Sequence, residues 1–218
     1  MMKQCFKQKG PTCSIYAFLN GLCYSKKSLK QSEIDFQANQ LLELAIERGY
    51  SFVGEFFSSE VLKSFLLEQR HYEIQKIEEI ANLHEQLDVQ ENQFLLVPIY
   101  TFKDFGKQRL HGMHWLVVVP EKDHYVVLDV SRGTTQEISD LIDLAQYNQL
   151  LCSKYFDWCL WQKKWTLSFF KWSWYNKFLF YAPIRRRLNR QLMIYKECFA
   201  EKQTKYTETA PLLVTMKE

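Results

Sequence analysis

A cysteine at the predicted start of a helix is the first residue along the chain that could do chemistry. Cys13 follows the segment Gly10-Pro11-Thr12, which supplies a turn and a capping hydroxyl, and it precedes apolar residues at helical spacing. A thiol attacks as the thiolate, and the partial positive charge at a helix N-terminus lowers the pKa of a thiol placed there. The alternative interpretation is that Cys13 is a small buried hydrophobic residue, as most lone cysteines are.

Nucleophilic catalysis by a thiol also requires a base and a residue that orients the base, and two residues far downstream are of these types. His114 begins a β-branched run, and Asp129 lies near the end of the next such run. A turn at residues 120–123 predicts an antiparallel hairpin, so the two side chains would fall near the same end of it. Asp129 would then hold the imidazole in the tautomer whose other nitrogen faces Cys13.

The remaining histidines and cysteines are predicted to have structural or solvated roles. We expect the other histidines to be surface residues: His71, His84, His111 and His124. For His111, which lies in a predicted loop, a contact with substrate is an open alternative. Cys152 and Cys159 have a spacing that suits helix packing, and no Cys-x-x-Cys pair or glycine-rich phosphate loop occurs in the sequence. The sequence therefore predicts neither a metal site nor a bound cofactor.

The elements that must position these residues run helices first and strands second. Apolar residues at helical spacing follow capping hydroxyls in the first part of the chain, and β-branched runs come later. This order is typical of an α+β fold. The predicted helices span 13–22, 31–48, 58–70, 77–88 and 135–150, with Ser32 and either Ser58 or Ser59 as caps, and the predicted strands span 94–100, 114–119 and 125–130.

The three candidate residues and their flanking segments resemble the papain-like cysteine peptidase superfamily. The resemblance rests on Gln8-Lys-Gly-Pro-Thr-Cys13-Ser-Ile-Tyr-Ala17, on His114-Trp-Leu-Val-Val-Val119 and on Val127-Leu-Asp129. It implies a papain-like fold, with the nucleophile at a helix N-terminus and an antiparallel sheet that carries the histidine and the aspartate. It also implies the roles: Cys13 as nucleophile, His114 as general base and acid, Asp129 as the orienting residue, and Gln8 as a donor to the oxyanion beside the Cys13 amide.

Within that superfamily the sequence is most similar to peptidases that process bacteriocin leaders after a double glycine. Their Gln, Cys, His and Asp follow the same order. Two departures bear on the site: Gln8 stands five residues before Cys13 rather than six, and Val130 follows Asp129 where these peptidases usually have proline. Gln4 is the alternative oxyanion donor.

Residues 151–200 differ in composition from the acidic body that precedes them. Residues 151–199 contain ten Lys or Arg and two acidic residues, which gives a net charge of +8, whereas residues 1–150 carry a net charge of −5. Trp and Phe are interleaved with the basic residues, which suits a helix in the headgroup layer of an anionic membrane, or contact with a partner protein. The alternative is a helical subdomain that packs its aromatics onto the body. Nucleic acid is not expected, since no binding motif is present and the acidic body would repel phosphates.

These observations predict three regions and a cellular location. The regions are a papain-like peptidase domain at 1–150, a basic aromatic helical extension at 151–200 with a break near 182–183, and a polar tail at 201–218. No apolar run precedes Cys13, and no uncharged apolar stretch of 18 residues occurs in the sequence. We therefore expect a cytoplasmic protein with free thiols, held peripherally at the inner face of the membrane.

The expected activity is cleavage of a peptide or protein substrate by a Cys-His-Asp triad, in the maturation of a secreted peptide. Two alternatives stay open. The same three residues would also serve acyl transfer to an amine. A papain-like fold without catalysis would act as a binding, immunity or maturation scaffold.

Overall fold

The structure is a computed structural model that describes most of the first 157 residues and a short C-terminal segment. The described residues are 4–10, 12–24, 30–51, 54–69, 72–78, 92–105, 107–157, 203–206 and 208–216. The predicted helix at 77–88 lies outside them apart from its first two residues, which are not helical. The helices and the break predicted between 158 and 202 lie outside them entirely.

The described residues form four helices, with the bounds Cys13–Cys23 (α1), Gln31–Glu47 (α2), Ser59–Leu67 (α3) and Ile142–Leu151 (α4). The first three are confirmed near their predicted bounds. The Ser58 hydroxyl caps α3 by accepting from the first-turn amides. Ser32 is not the cap of α2, because that helix begins one residue earlier, where the Lys30 amide donates to the Glu33 carboxylate. None of these helices is long and apolar enough to cross a membrane.

The described strands are Tyr72–Lys76 (β1), Gln93–Phe105 (β2), Gln108–Pro120 (β3), Tyr125–Asp129 (β4), Thr134–Ile138 (β5), Tyr155–Asp157 (β6), Gln203–Lys205 (β7) and Leu212–Met216 (β8). Six of them form one antiparallel sheet in the order β1-β8-β2-β3-β4-β5. The other two, β6 and β7, pair with each other. The protein is therefore α+β, as the order of elements predicts.

The chain divides into two compact units. The first comprises residues 1–100, 113–153 and 206–218, and it contains the four helices. The second comprises residues 101–112 and 154–205. This division differs from the predicted regions, since residues 101–112 fall with the second unit and residues 206–218 fall with the first.

The predicted helix at 135–150 is wrong in its first half. Residues Thr134–Ile138 form β5, which pairs with β4, and α4 begins only at Ile142. Two adjacent threonines open β5, and β-branched side chains favour a strand over a helix. The Asp140 carboxylate accepts from the Ile142 amide at 3.0 Å, which marks the true start of the helix.

The predicted polar tail is also wrong for its last described residues. Leu212–Met216 form β8, which pairs with β1 on one side and β2 on the other. Leu212 and Val214 are fully buried. The apolar run is only five residues long and follows a polar stretch, so its burial depends on partners that are distant in sequence.

The central strands are covered on both faces, which explains why their sequences are continuously apolar rather than alternating. Phe94 on β2 faces α1, where its ring lies 6.3 Å from that of Phe18. Its neighbour Leu95 points the other way, into a cluster that contains Ala145 of α4. Gly21 lets α1 approach β2 closely, because a Cβ at that position would overlap the Phe94 ring.

We predict that the first unit cannot form its sheet without β8. A chain that ends after Pro211 should lose cooperative urea unfolding, because the β1 and β2 edges that β8 joins would be left unpaired. A chain that ends after Met216 keeps β8 and serves as the control. Equal unfolding free energies for the two truncated chains would contradict the prediction.

Candidate active site

The hairpin formed by β3 and β4 carries the histidine and the aspartate of the candidate site. Its register pairs Val117 with Leu128 and Pro120 with Tyr125, which confirms the predicted turn between the strands. His114 lies within β3 rather than at its start, since the strand begins at Gln108. The His114 Nε2 atom lies 3.0 Å from Asp129 Oδ1. The structure therefore brings these two predicted residues into contact.

The turn that follows β4 holds the Asp129 carboxylate in place. Ser131 donates to Oδ1 through its amide at 2.9 Å and through its hydroxyl at 2.6 Å, and Arg132 Nε lies 3.5 Å from Oδ2. Burial raises the pKa of Asp129, but the hydrogen bonds from His114 and Ser131 outweigh it and hold the pKa well below its ordinary range. Asp129 is therefore an ionised acceptor, and in the neutral imidazole the proton sits on Nε2. The unprotonated Nδ1 is then the atom able to act as a base.

Cys13 begins α1 and is buried, with 3% of its surface exposed. The backbone amides of Trp115, the residue after His114, of Ser14 and of Cys13 itself lie near the thiol and lower its pKa. The sulfur therefore lies near the strand that carries His114. Thr12 is not the predicted helix cap, because its hydroxyl donates to the Lys9 carbonyl at 2.7 Å instead.

The expectation of a lowered thiol pKa is wrong in its net direction. The three amides do lower the pKa of Cys13, as placement at a helix N-terminus predicts. Burial raises it by more, and the negative charge of Glu55 adds to the increase. The resting thiol is therefore protonated, and a neighbouring base must remove its proton before or during attack.

Gln8 lies on a segment that is tied to both α1 and β4. Its amide donates to the Val130 carbonyl at 2.8 Å, and Phe6 exchanges two hydrogen bonds with the buried Asn20 side chain of α1, at 2.7 and 3.0 Å. The Gln8 Nε2 atom donates to the Gly10 carbonyl at 2.9 Å, while its Oε1 atom is buried and has no partner among the described residues. One Nε2 hydrogen is thus committed to the protein itself. Gln4, the alternative donor, is exposed.

The structure also places two of the other histidines. His111 packs edge-on against Tyr155, with ring centroids 5.9 Å apart. His124 lies 3.6 Å from Glu121 and is partly buried. His71 and His84 lie outside the described residues.

Sequence reasoning missed three residues that shape the site. Ser131 orients the Asp129 carboxylate, Asn20 ties the Gln8 segment to α1, and Glu55 acts on the Cys13 thiol through its charge. The Asp-x-Ser spacing of 129–131 is typical of a turn in which the Asp side chain bonds the backbone two residues on, and it could have indicated the role of Ser131. The other two roles depend on contacts between distant segments.

Comparison with protein families gives a family for the chain. Residues 3–120, more than half of the chain, match the family described as "Actin maturation protease-like, C-terminal domain", and the chain belongs to that family. The matched range includes Cys13 and His114 and ends before Asp129. No curated protein matches the chain.

We predict that the ionised Asp129 carboxylate stabilises the fold in a pH-dependent way. Its pKa is lowered in the folded state, so its contribution is complete above the unfolded value of about 3.9 and is lost as the pH falls through the folded value. Asp129→Asn should therefore reduce the free energy of unfolding at neutral pH by about 1–2 kcal/mol. The difference from wild type should shrink below about pH 4.

Urea unfolding at several pH values measures this difference. Asp123→Asn is the matched control, because Asp123 is exposed in the turn between β3 and β4. An Asp129→Asn deficit that stays constant from neutral to acidic pH would contradict the assignment of a lowered pKa.

Proposed function

We propose that the chain is a cysteine peptidase with a papain-like fold that cleaves a peptide or protein substrate. The observation that carries the proposal is the arrangement around β3: Asp129 Oδ1 lies 3.0 Å from His114 Nε2, and the next amide along the strand, that of Trp115, is near enough to the Cys13 thiol to lower its pKa. Membership of a protease-like family supports the same reaction class. The resemblance in motif order supports the papain-like assignment of the three roles.

The first half of the proposed reaction forms an acyl-enzyme. His114 Nδ1 accepts the Cys13 proton as the sulfur attacks the substrate carbonyl carbon, and the carbonyl oxygen becomes an oxyanion. The Asp129 carboxylate stabilises the imidazolium that results. The carbon–nitrogen bond then breaks, and His114 gives its proton to the departing amine. The raised thiol pKa favours this coupled proton transfer over a preformed thiolate.

The second half releases the new carboxyl terminus. His114, now neutral, accepts a proton from water as the water attacks the thioester carbonyl. The carbon–sulfur bond breaks and the sulfur regains the proton. In this scheme the Cys13 amide and the second Nε2 hydrogen of Gln8 are the candidate donors to the oxyanion. Because the scheme uses only side chains and water, we propose that no cofactor takes part.

Within that class we propose limited proteolysis during the maturation of another polypeptide. The name of the family refers to a protease of actin maturation, and the motif order is similar to that of leader-processing peptidases. Actin-derived peptides and leader peptides with a double glycine are therefore the first substrates to test.

A non-catalytic scaffold is the second candidate, and two observations favour it. The pKa of Cys13 is raised rather than lowered, and a hydrogen of Gln8 Nε2 is committed to Gly10. Acyl transfer is a third outcome, in which an amine replaces water in the second step. Mass spectrometry of the products distinguishes it by a new amide in place of a shorter peptide.

We predict that Cys13→Ala abolishes both peptide cleavage and covalent labelling by a thiol-reactive peptide probe, because it removes the attacking atom. His114→Gln should lower the cleavage rate by at least about a hundredfold, since it removes the base. Cys152→Ala is the matched control, because Cys152 is an exposed free thiol. Labelling of the Cys13→Ala protein at the wild-type rate, on another residue, would refute the proposed function in favour of the scaffold.

We also propose that residues 151–200 dock the protein on an anionic membrane or a partner at the cytoplasmic face. The net charge of +8 among interleaved aromatics supports this. Replacing Arg185–Arg187 with serines should weaken flotation with anionic vesicles at least about tenfold, at roughly 1 kcal/mol per basic residue.

The substitution leaves β8 intact, whereas truncation from residue 151 would remove it. The charge-matched control replaces the exposed Lys103, Lys107 and Lys122 with serines. Equal loss of flotation in both variants would show that net charge alone is responsible and would rule out docking through residues 151–200.

A further inference from the structure

Asp35 of α2 joins three separate parts of the chain next to the start of α1. Its Oδ1 atom accepts from the Tyr16 hydroxyl of α1 at 2.7 Å and from Gln31 Nε2 of α2 at 2.7 Å. Its Oδ2 atom forms an ion pair with the ammonium of Lys9, in the segment before Cys13. The Asp35 side chain is only 13% exposed, so it makes these contacts largely away from water.

The Gln31 side chain extends this network to the backbone of the same segment. The Lys7 amide donates to Gln31 Oε1 at 3.1 Å, and Gln31 Nε2 donates to the Lys7 carbonyl at 3.0 Å. The two Nε2 hydrogens thus have one acceptor on Lys7 and one on Asp35, which fixes the orientation of the amide. Asp35 therefore acts on Lys7 through Gln31 and on Lys9 directly.

Gln8 lies between the two residues that this network holds. Its amide donates to the Val130 carbonyl at 2.8 Å, on the loop that follows β4. The Thr12 hydroxyl donates to the Lys9 carbonyl at 2.7 Å, directly before α1 begins. The backbone around Gln8 is therefore constrained from two directions, by Val130 and by the Asp35 network.

The Asp35 carboxylate is ionised, which strengthens the bonds that it accepts. Burial raises its pKa, but the hydrogen bonds from Lys9, Tyr16 and Gln31 outweigh burial and hold the pKa below its ordinary range. Hydrogen bonds to an ionised acceptor are roughly twice as strong as those between neutral groups. Lys9 adds little, because its side chain is mostly exposed and water screens the ion pair. The bonds from Tyr16 and Gln31 are thus the important ones.

We propose that Asp35 is a positioning residue for the peptidase reaction, which holds residues 7–9 so that Gln8 can donate to the oxyanion formed at Cys13. The proposal rests on the proposed function, in which Gln8 is a candidate oxyanion donor. In this role Asp35 touches no substrate and transfers no proton, and it acts only through Gln8. An oxyanion donor stabilises charge that develops in the transition state, so its displacement lowers kcat more than it raises KM.

Peptide cleavage by Asp35 variants tests the role. Asp35→Ala should lower kcat about tenfold and change KM by less than about twofold, since it displaces a donor without removing a substrate contact. Asp35→Asn should stay within about threefold of wild type, because its side-chain oxygen can still accept from Tyr16 and Gln31. Glu47→Ala removes an exposed carboxylate of α2 and is the matched control. Wild-type kcat in Asp35→Ala would overturn the proposal.

A double-mutant cycle tests whether Asp35 acts through Gln8. Gln8→Ala alone should lower kcat about a hundredfold, the typical effect of losing one oxyanion donor. Adding Asp35→Ala to Gln8→Ala should then lower kcat by less than about twofold, because the donor that Asp35 positions is already absent. The same tenfold loss in both backgrounds would show a general effect on the fold, and the positioning role would be wrong.

Amide hydrogen exchange measures the same constraint without any substrate. The Gln8 amide, which donates to the Val130 carbonyl, should exchange at least about tenfold faster in Asp35→Ala than in wild type. The amide of the buried residue Val118 on β3 is the internal reference and should keep its rate. Equal exchange of the Gln8 amide in the two proteins would contradict the proposal.

The failure of this proposal and the failure of the proposed function are distinguishable. If wild type cleaves peptide and Asp35→Ala cleaves it equally well, the peptidase stands and the role of Asp35 falls. If wild type cleaves no peptide and is not labelled by the peptide probe, the proposed function falls and the catalytic role of Asp35 falls with it. Exchange at the Gln8 amide then still shows whether Asp35 holds the segment in place.

Discussion

Close packing of α1 against the sheet is the constraint on which the candidate site depends. Cys13 opens that helix, and the Trp115 amide near its thiol belongs to β3, so any separation of helix and sheet would also move the thiol away from the strand that carries His114. Gly21 permits the approach, because the Phe94 ring occupies the place where a Cβ would be. Three residues before it, Phe18 packs against both Phe94 and Tyr72. The chemistry at the start of α1 is therefore positioned by apolar contacts further along the same helix.

The same packing decides the electrostatics of the thiol. Three amides lower the pKa of Cys13, but the burial that brings them close also removes water from the sulfur, and the second effect is larger. A site of this kind keeps its nucleophile protonated until a base acts. Asp129 carries the compensating charge, since its carboxylate stays ionised beside the imidazole that would receive the proton. The fixed negative charge thus contacts the Nε2 atom of His114.

Local patterns in the sequence predicted the parts of the structure that are themselves local. The apolar spacing after Cys13 and the turn at 120–123 were sufficient to predict α1 and the hairpin of β3 and β4. They did not predict β8, because the partners of a five-residue strand are more than a hundred residues away. For the same reason the effect of Glu55 on the pKa of Cys13 was not visible, since Glu55 lies on a loop whose Phe56 carbonyl accepts from the indole of Trp115 on β3. The net thiol pKa depends on burial, which residue types alone do not determine.

The position of β8 changes how the basic aromatic region relates to the rest of the chain. Residues 158–202 lie in sequence between α4 and β8, an interior strand of the sheet, so they form an insertion and not an appendage. The chain returns to the first unit near Tyr206, whose phenol lies near the Met113 amide, and near Glu208, whose carbonyl accepts from the Ser59 amide at 2.8 Å. Asn148 then bonds the Thr209 carbonyl at 2.8 Å. The first unit can complete its sheet only after the inserted region has been synthesised, and the returning segment pairs directly with β2, the neighbour of the strand that carries His114.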